Sequence, residues 1–448
     1  MKSIQVGLLG IGTVGSGVFN VLQRNQTEIQ RRAGRGIEIT IVADLDVARA
    51  QAAVGPKVKV VNDARAIIAN PEIDIVIELI GGYGIAKQLV MEAIAAGKHV
   101  VTANKALLAV HGTEIFAAAQ AKGVMVAFEA AVAGGIPIIK ALREGLTANR
   151  IQWIAGIING TTNFILSEMR DKGLDFATVL KQAQALGYAE ADPTFDIEGV
   201  DAAHKVTLMS AIAFGIPVQF GKAYVEGITK LGAADIKYAE QLGYRIKLLG
   251  ITKRTTTNGK EGVELRVHPS LIPAKRLIAN VEGAMNAVVV NGDAVGTTLY
   301  YGKGAGSEPT ASAVIADLVD IARLHSADAA QRVPALAFQP HTFDQAMSDT
   351  PIVPMSDVVT SYYLRLNVAD EAGVLAKVTG ILANSGISID AVLQREADEV
   401  GGEGATQTDL IILTHDTREG TMDAALALMQ ALPTVLAPIV RIRKEELA

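Results

Sequence analysis

Ile4-Gln5-Val6-Gly7-Leu8-Leu9-Gly10-Ile11-Gly12-Thr13-Val14-Gly15 stands at the start of the chain, and its reading decides the first fold assignment. A short apolar run stops at three glycines in the spacing G-x-G-x-x-G, and a helical pattern follows from about Gly17 to Arg31. The spacing is weak evidence alone; between a strand and a helix it predicts the first turn of a dinucleotide-binding fold. Gly10 permits the tight turn, Gly12 lets the backbone approach a pyrophosphate, and Gly15 lets helix and strand pack closely. Thr13 and Val14 complete the expected cofactor contacts at the helix start, where free amides and the helix dipole favour an anion.

Outward from that turn, a second strand over Ile37 to Ala43 ends at Asp44. A carboxylate there accepts from a ribose 2′-hydroxyl and repels a 2′-phosphate, which favours NAD. Asp44 comes later than the usual spacing, and Arg49, Lys57 and Lys59 offer cations for a 2′-phosphate. The cofactor is therefore NAD or NADP, leaning slightly to NAD. Further strands are expected at Ile73 to Ile80, His99 to Thr102 and Gly123 to Glu129, with helices at Ala86 to Ala96 and Ile115 to Ala121. Continuous apolar strands alternating with helices imply a doubly wound parallel sheet, assigned to residues 1–135. Thr102-Ala103-Asn104-Lys105 follows a strand at the sheet's carboxyl end, where open sheets bind ligands. Thr102 and Lys105 are candidate cofactor or substrate contacts; the alternative for Lys105 is an ordinary surface lysine.

Composition narrows the function classes. With 448 residues, half of them hydrophobic and a net charge of -6, the chain has material for two or three cores. It shows no basic patch for nucleic acid or an anionic membrane. It has no cysteine, which excludes disulfides, thiolate metal sites and thiol nucleophiles. The seven histidines are scattered without a carboxylate cage, which speaks against zinc. His204 is expected to pack or hydrogen-bond. The N-terminus lacks the apolar region of a signal peptide, and apolar runs are too short to span a bilayer, so a soluble, cytoplasmic protein is expected.

From residue 136 to 325 the pattern becomes a mixed α+β unit. Helices are expected at Pro137 to Leu146, Asn163 to Lys172, Phe176 to Leu186 and Asp201 to Phe214, and strands near Gln152 to Ile158 and Gly262 to Pro269. A second glycine-rich loop, residues 302–310, opens a helix over Ala311 to Arg323, and Gly306 within it is a candidate cofactor contact returning toward the first glycine turn. A flexible turn is the alternative. Residues 326–357 read as a linker. Residues 358–448 carry the order βαββαβ, which is ferredoxin-like.

The stretch from Gly187 to Lys205 gathers Glu190, Asp192, Asp196 and Asp201 ahead of Lys205. Asp201 and Lys205 are four apart and share a helix face, which alone describes a surface ion pair as well as a site for an amino acid.

With these residues in view, the chain resembles homoserine dehydrogenase over essentially its whole length. Ala183, Gly187, Asp192-Pro193, Asp196-Ile197, Gly199, Asp201 and Lys205 fit the family's signature segment. Glu78-Leu79-Ile80-Gly81-Gly82, Val101 to Lys105, Glu129 to Pro137 and Gly160-Thr161-Thr162-Asn163 match its other blocks. The C-terminal unit resembles an ACT domain. The resemblance implies interconversion of L-homoserine and L-aspartate 4-semialdehyde, on the route to threonine, methionine and isoleucine. It implies Lys205 at the reacting oxygen as general acid and base, Lys105 as a second active-site lysine, and Asp201 as an orienting acid. Glu190, Asp196, Gly160 and Thr161 would bind substrate. It further implies a sodium ion held, mostly by carbonyl oxygens, around Glu129, Val132, Gly134 and Ile136. A homo-oligomer is expected, and the loop Asp370 to Leu375 reads either as the site of an amino-acid effector, threonine being the natural one, or as part of a dimerisation module without a ligand. The rival is a non-catalytic nucleotide and amino-acid sensor, which would not need the acid and lysine cluster.

Overall fold

The structure is a computed structural model that describes residues 2–257, 259–328, 331–338, 348–395, 400 and 406–447. The expected linker at 326–357 thus lies partly outside the described residues.

The first sheet comprises β1 (Ile4–Leu9), β2 (Ile37–Ala43), β3 (Lys59–Val61), β4 (Ile75–Glu78), β5 (His99–Thr102) and β6 (Val126–Ala127). All pairings are parallel and the order is β3-β2-β1-β4-β5-β6, the doubly wound dinucleotide-binding order. Strand order reverses between β1 and β4, which places a crevice beyond their carboxyl ends, at Gly10 and Glu78. The helix after β1 breaks at Asn25 into Thr13–Arg24 and Gln26–Ala33. The helix after β5 runs over Lys105–Lys122, ten residues earlier than its apolar pattern suggested, because Asn104 caps it.

The second sheet is eleven-stranded. It is built from β7 (Ile151–Ile157), β8 (Tyr224–Val225), β9 (Tyr244–Thr257), β10 (Lys260–Pro273), β11 (Met285–Gly292), β12 (Gly296–Lys303), β13 (Val359–Ala369), β14 (Ile389–Gln394), β15 (Gln407–Thr414), β16 (Thr417–Arg418) and β17 (Val440–Lys444). Its main path is β12-β11-β7-β9-β10-β17-β13-β15-β14. The C-terminal unit contributes β17, β13, β15 and β14 in the ferredoxin-like order, with helices Val374–Asn384 and Glu419–Gln430. Strands β9, β11 and β12 have no counterpart in the sequence reading. Ile246 to Leu249 of β9 are all buried, Lys247 included, so no alternation marks that strand.

Two cores position the site. Strands β1 and β2 share a core with the helix Thr13–Arg24 and with the distant helix Ser307–Leu324. The opposite face of the first sheet merges into a core that holds the helix Val200–Phe214 between the helix Lys105–Lys122 and strands β7, β9 and β10. The expected helix at Pro137 to Leu146 is a short turn, Ile138–Lys140, running into a π-helical segment, Ala141–Gly145.

Candidate active site

Every residue from Asp201 to Phe214 is buried, so the helix carrying Asp201 and Lys205 is an interior element and their pairing is no surface ion pair. Lys205 Nζ donates to Asp201 Oδ2 and to the Ile158 carbonyl, each at 2.7 Å. The other oxygen of Asp201 lies 3.1 Å from Lys105 Nζ. Lys105 is the first residue of its helix. Beneath it, Asn104 Oδ1 accepts from the Leu107 amide at 3.1 Å, and the Asn104 amide donates to Thr102 Oγ1 at 3.0 Å. Thr102 Oγ1 donates to Glu78 Oε2 at 2.7 Å, and Glu78 Oε1 accepts from the amides of Ile80 and Gly81. Thr102 is fully buried, and its side chain supports the Lys105 turn.

Sequence reasoning passed over Asn159. Its Oδ1 caps the helix Gly160–Lys172 by accepting from the Thr162 amide at 2.8 Å. Its two amide protons go to Asp201 Oδ2 at 2.8 Å and Asp196 Oδ1 at 2.7 Å. An asparagine between a strand and a helix is a readable cap signal; its second task, holding two carboxylates, acts across the fold. Gly160 opens the same helix, and Thr161 Oγ1 donates to the Tyr188 carbonyl at 2.6 Å, tethering the segment that leads to Glu190. Glu190 is exposed and close enough to Lys105 to act on its charge. His204 is buried between Phe195 and Phe220, with ring centroids 5.2 and 4.3 Å away. Burial pushes its pKa down to about 4, and it packs as a neutral ring.

At the crevice, Gly10 has φ +92°, which an L side chain resists. A Cβ on Gly15 would stand 2.2 Å from the Gly10 carbonyl oxygen, so only glycine closes this strand-helix junction. Gly12 and Thr13 are exposed, Val14 half-buried, and nothing stands within 4 Å of a Cβ at Gly12. The exposed Gly306 precedes Ser307, whose Oγ donates to the Thr13 carbonyl at 2.7 Å, so both glycine loops meet. Asp44 Oδ2 accepts from the Ile11 amide at 2.9 Å and its Oδ1 lies 3.2 Å from Arg49 Nη2.

Glu129 is buried, and its two carboxylate oxygens accept from the amides of Ile139 and Lys140, both at 2.8 Å. Burial pushes its carboxyl up to about 7, against those two amides, which favour the ionised form. Val132 and Gly134 are buried, and among the described residues nothing donates to their carbonyl oxygens. The Ile136 carbonyl accepts from the Ile138 amide at 2.8 Å.

Comparison with known proteins decides what this arrangement belongs to. The family model described as homoserine dehydrogenase matches residues 137–319, and the homoserine dehydrogenase NAD-binding model matches residues 10–129. An ACT domain model matches residues 362–433. Homoserine dehydrogenase from Pseudomonas aeruginosa is 59% identical over 448 residues, covering 100% of both chains. That from Neisseria gonorrhoeae is 58% identical over 447 residues, again covering 100% of both. The crystal structure of a homoserine dehydrogenase from Thiobacillus denitrificans superposes with a TM-score of 0.93 at 64% identity, covering 100% of this chain and 99% of that one. The chain belongs to the homoserine dehydrogenase family.

A homoserine dehydrogenase is an oxidoreductase that interconverts L-homoserine and L-aspartate 4-semialdehyde, so the catalytic reading stands and the sensor reading falls. Burial lowers the Lys205 pKa; Asp201 opposes this and the Lys105 ammonium adds to it. Lys105 moves the other way, raised by Asp201 against the cost of burial, with Asp196 and Glu190 assisting. Burial would raise Asp201, but the two ammoniums overrule it and hold the carboxylate well below the usual range. Asp196 is raised by burial and by the charge of Asp201. Two lysines on one carboxylate are thus split into one that gives up its proton more readily and one that keeps it, the pattern by which a site separates an acid-base group from a fixed charge.

Proposed function

We propose that Lys205 is the proton-transferring group of this homoserine dehydrogenase, with Asp201 holding it and Lys105 a standing positive charge. The carrying observation is the chain of buried Lys205 and Asp201 with half-buried Lys105, in which the Ile158 carbonyl holds Lys205 and Asn159 holds Asp201. A bound nicotinamide supplies or accepts the hydride. In the reducing direction negative charge grows on the aldehyde oxygen, and the Lys205 ammonium, with one proton left beyond its two bonds, stabilises it and gives that proton up. In the oxidising direction neutral Lys205 takes the hydroxyl proton of homoserine. Asp196 and Glu190 face the substrate ammonium, and Gly160 and Thr161 shape the pocket wall.

Lys205→Ala should lose at least about a hundredfold in kcat, the usual scale for removing a general acid-base group. Near wild-type turnover in a folded variant would sink the assignment. Glu190→Gln should act mainly on KM for homoserine, and an unchanged KM would remove Glu190 from the ammonium site.

Residues 1–135 form the cofactor unit in this reading, 136–325 the substrate unit and 358–448 the regulatory unit, joined by 326–357. The cofactor is NAD or NADP. Asp44 supports the lean to NAD, while Arg49 beside it supplies a guanidinium for a 2′-phosphate. A higher kcat/KM with NADP than with NAD would reject the lean.

The turn Glu129–Ile136 fits a monovalent cation: Val132 and Gly134 present buried carbonyls without donors, which is costly unless something satisfies them. The carboxylate of Glu129 is engaged by two amides, so its contribution would be the carbonyl. Exhaustive exchange of sodium and potassium for a bulky organic cation should lower the melting temperature; an unchanged melt would remove the metal. Threonine at the C-terminal unit and a homo-oligomer complete the proposal, and calorimetry with threonine and the solution mass test them.

A further inference from the structure

Strand β17 enters the second sheet between β10 and β13, parallel to the first and antiparallel to the second. Its Arg443 is fully buried there. Arg443 Nε donates to Glu419 Oε2 at 2.9 Å and Nη2 donates to Glu419 Oε1, which ties it to the C-terminal unit. Toward the substrate unit, Nη1 donates to Glu226 Oε2 at 2.8 Å and Nη2 to the Tyr224 hydroxyl at 3.0 Å. The Tyr224 hydroxyl in turn donates to Glu226 Oε2 at 2.7 Å. Arg443 is buried and Glu226 half-buried, so a planar guanidinium forked between the two carboxylates holds both in place, and moving Glu226 leaves a buried arginine with one carboxylate fewer.

From Glu226 the path to the active site is short. The next residue, Gly227, lies so close to the turn at Ile197 that a Cβ would stand 2.3 Å from the Ile197 carbonyl oxygen. The Ile228 amide donates to that same oxygen at 2.9 Å, and Thr229 Oγ1 to Glu198 Oε1 at 3.0 Å. Asp196 stands immediately before this turn. Immediately after it, Gly199, with φ +83° and packed on Val225 and Val267, starts the helix of Asp201 and Lys205.

We propose that Glu226 and Arg443 are positioning residues for the reaction: the last strand of the chain, through one buried guanidinium, sets where the turn Asp196–Gly199 holds the substrate-binding carboxylates. The coupling runs through contacts that are contiguous from Glu419 to Asp201, a physical link that a mutation can weaken without touching substrate. This rests on the assignment of Asp196, Asp201 and Lys205 to the substrate site.

The test uses the full-length chain carrying Glu226→Gln or Tyr224→Phe, with kcat and both KM values measured beside thermal melts. Glu226→Gln should raise KM for L-homoserine about fivefold or more, a typical coupling between sites, while KM for the nicotinamide cofactor stays within about twofold. Tyr224→Phe keeps both charges, should fold if Glu226→Gln does not, and should shift the same constant in the same direction by less. If the melting temperature falls while both KM values hold, the network is only an interface and the proposal is overturned; a joint rise of both KM values overturns it equally. Lys205→Ala run in parallel separates the two readings. Retained activity there removes the site itself and this inference with it, whereas an inactive Lys205→Ala beside a kinetically normal Glu226→Gln removes the coupling alone.

Discussion

Lys205, Lys105 and Asp201 place two positive charges on one carboxylate, and the direction of each pKa sets the pH response. Burial moves Lys205 below the ordinary lysine value, so its neutral form becomes accessible at lower pH than for a free lysine. Below its pKa the group is protonated and cannot take a proton from homoserine; above it, it can. The kcat/KM for homoserine oxidation should therefore rise with pH and level off above that pKa, while reduction of the semialdehyde should fall over the same interval. Rate profiles in both directions check this, and parallel profiles would contradict it. Lys105, raised by Asp201, stays charged throughout. At this scale the sequence was readable where chemistry is local: Asp201 and Lys205 sit one helical turn apart, and the glycines declare the turn they make. The support Thr102 gives that turn was not readable, since the register that turns its hydroxyl toward Glu78 appears only when β4 and β5 pair.

Among the elements, the segment from β7 to the helix Gly160–Lys172 carries more than its length suggests, because Asn159 ends one, starts the other and grips Asp196 and Asp201. Replacing it separates these tasks. Asn159→Ser keeps a capping oxygen, so Asn159→Ala should be about 1 kcal/mol less stable than Asn159→Ser through the lost cap. Both lose the amide donors, so both should fall at least tenfold in kcat/KM on the scale of a lost hydrogen bond to a charged group. A Ser variant with wild-type kinetics would show that Asn159 is a cap and nothing more. Elements with a clear pattern and a clear stop were legible: β2 and β5 occupy the residues expected of them, and the helix Val200–Phe214 begins one residue before its expected span. Strands β9, β11 and β12 were not, since they are recognised by the neighbours they pair with, and Lys247 inside β9 is buried by a bond to Asn163 that no local pattern announces.

On the scale of the whole molecule, the three units share sheets and cores. The helix Ser307–Leu324 covers β1 and β2, nearly three hundred residues upstream, and β17 stands between the substrate and regulatory strands. Deleting residues 439–448 should therefore do more than remove a regulatory edge. It would bare β10 and β13 as unpaired edges, take Glu445 from Arg266 and leave the buried Glu419 without Arg441 and Arg443, and breaking a buried pair typically costs about 3–5 kcal/mol. Urea unfolding should show lowered stability in the substrate unit as well, and size-exclusion chromatography should show aggregation; a truncated chain that melts like the intact one would contradict this. Such pairing across sequence distance was the part least readable from residues alone. The placement of β17 also bears on folding. Strand β17 follows β10 and β13 in the chain, so until it arrives both wait without the neighbour that joins them. The folding chain must hold those edges open, and its slowest and most aggregation-prone interval should be the one before β17 docks.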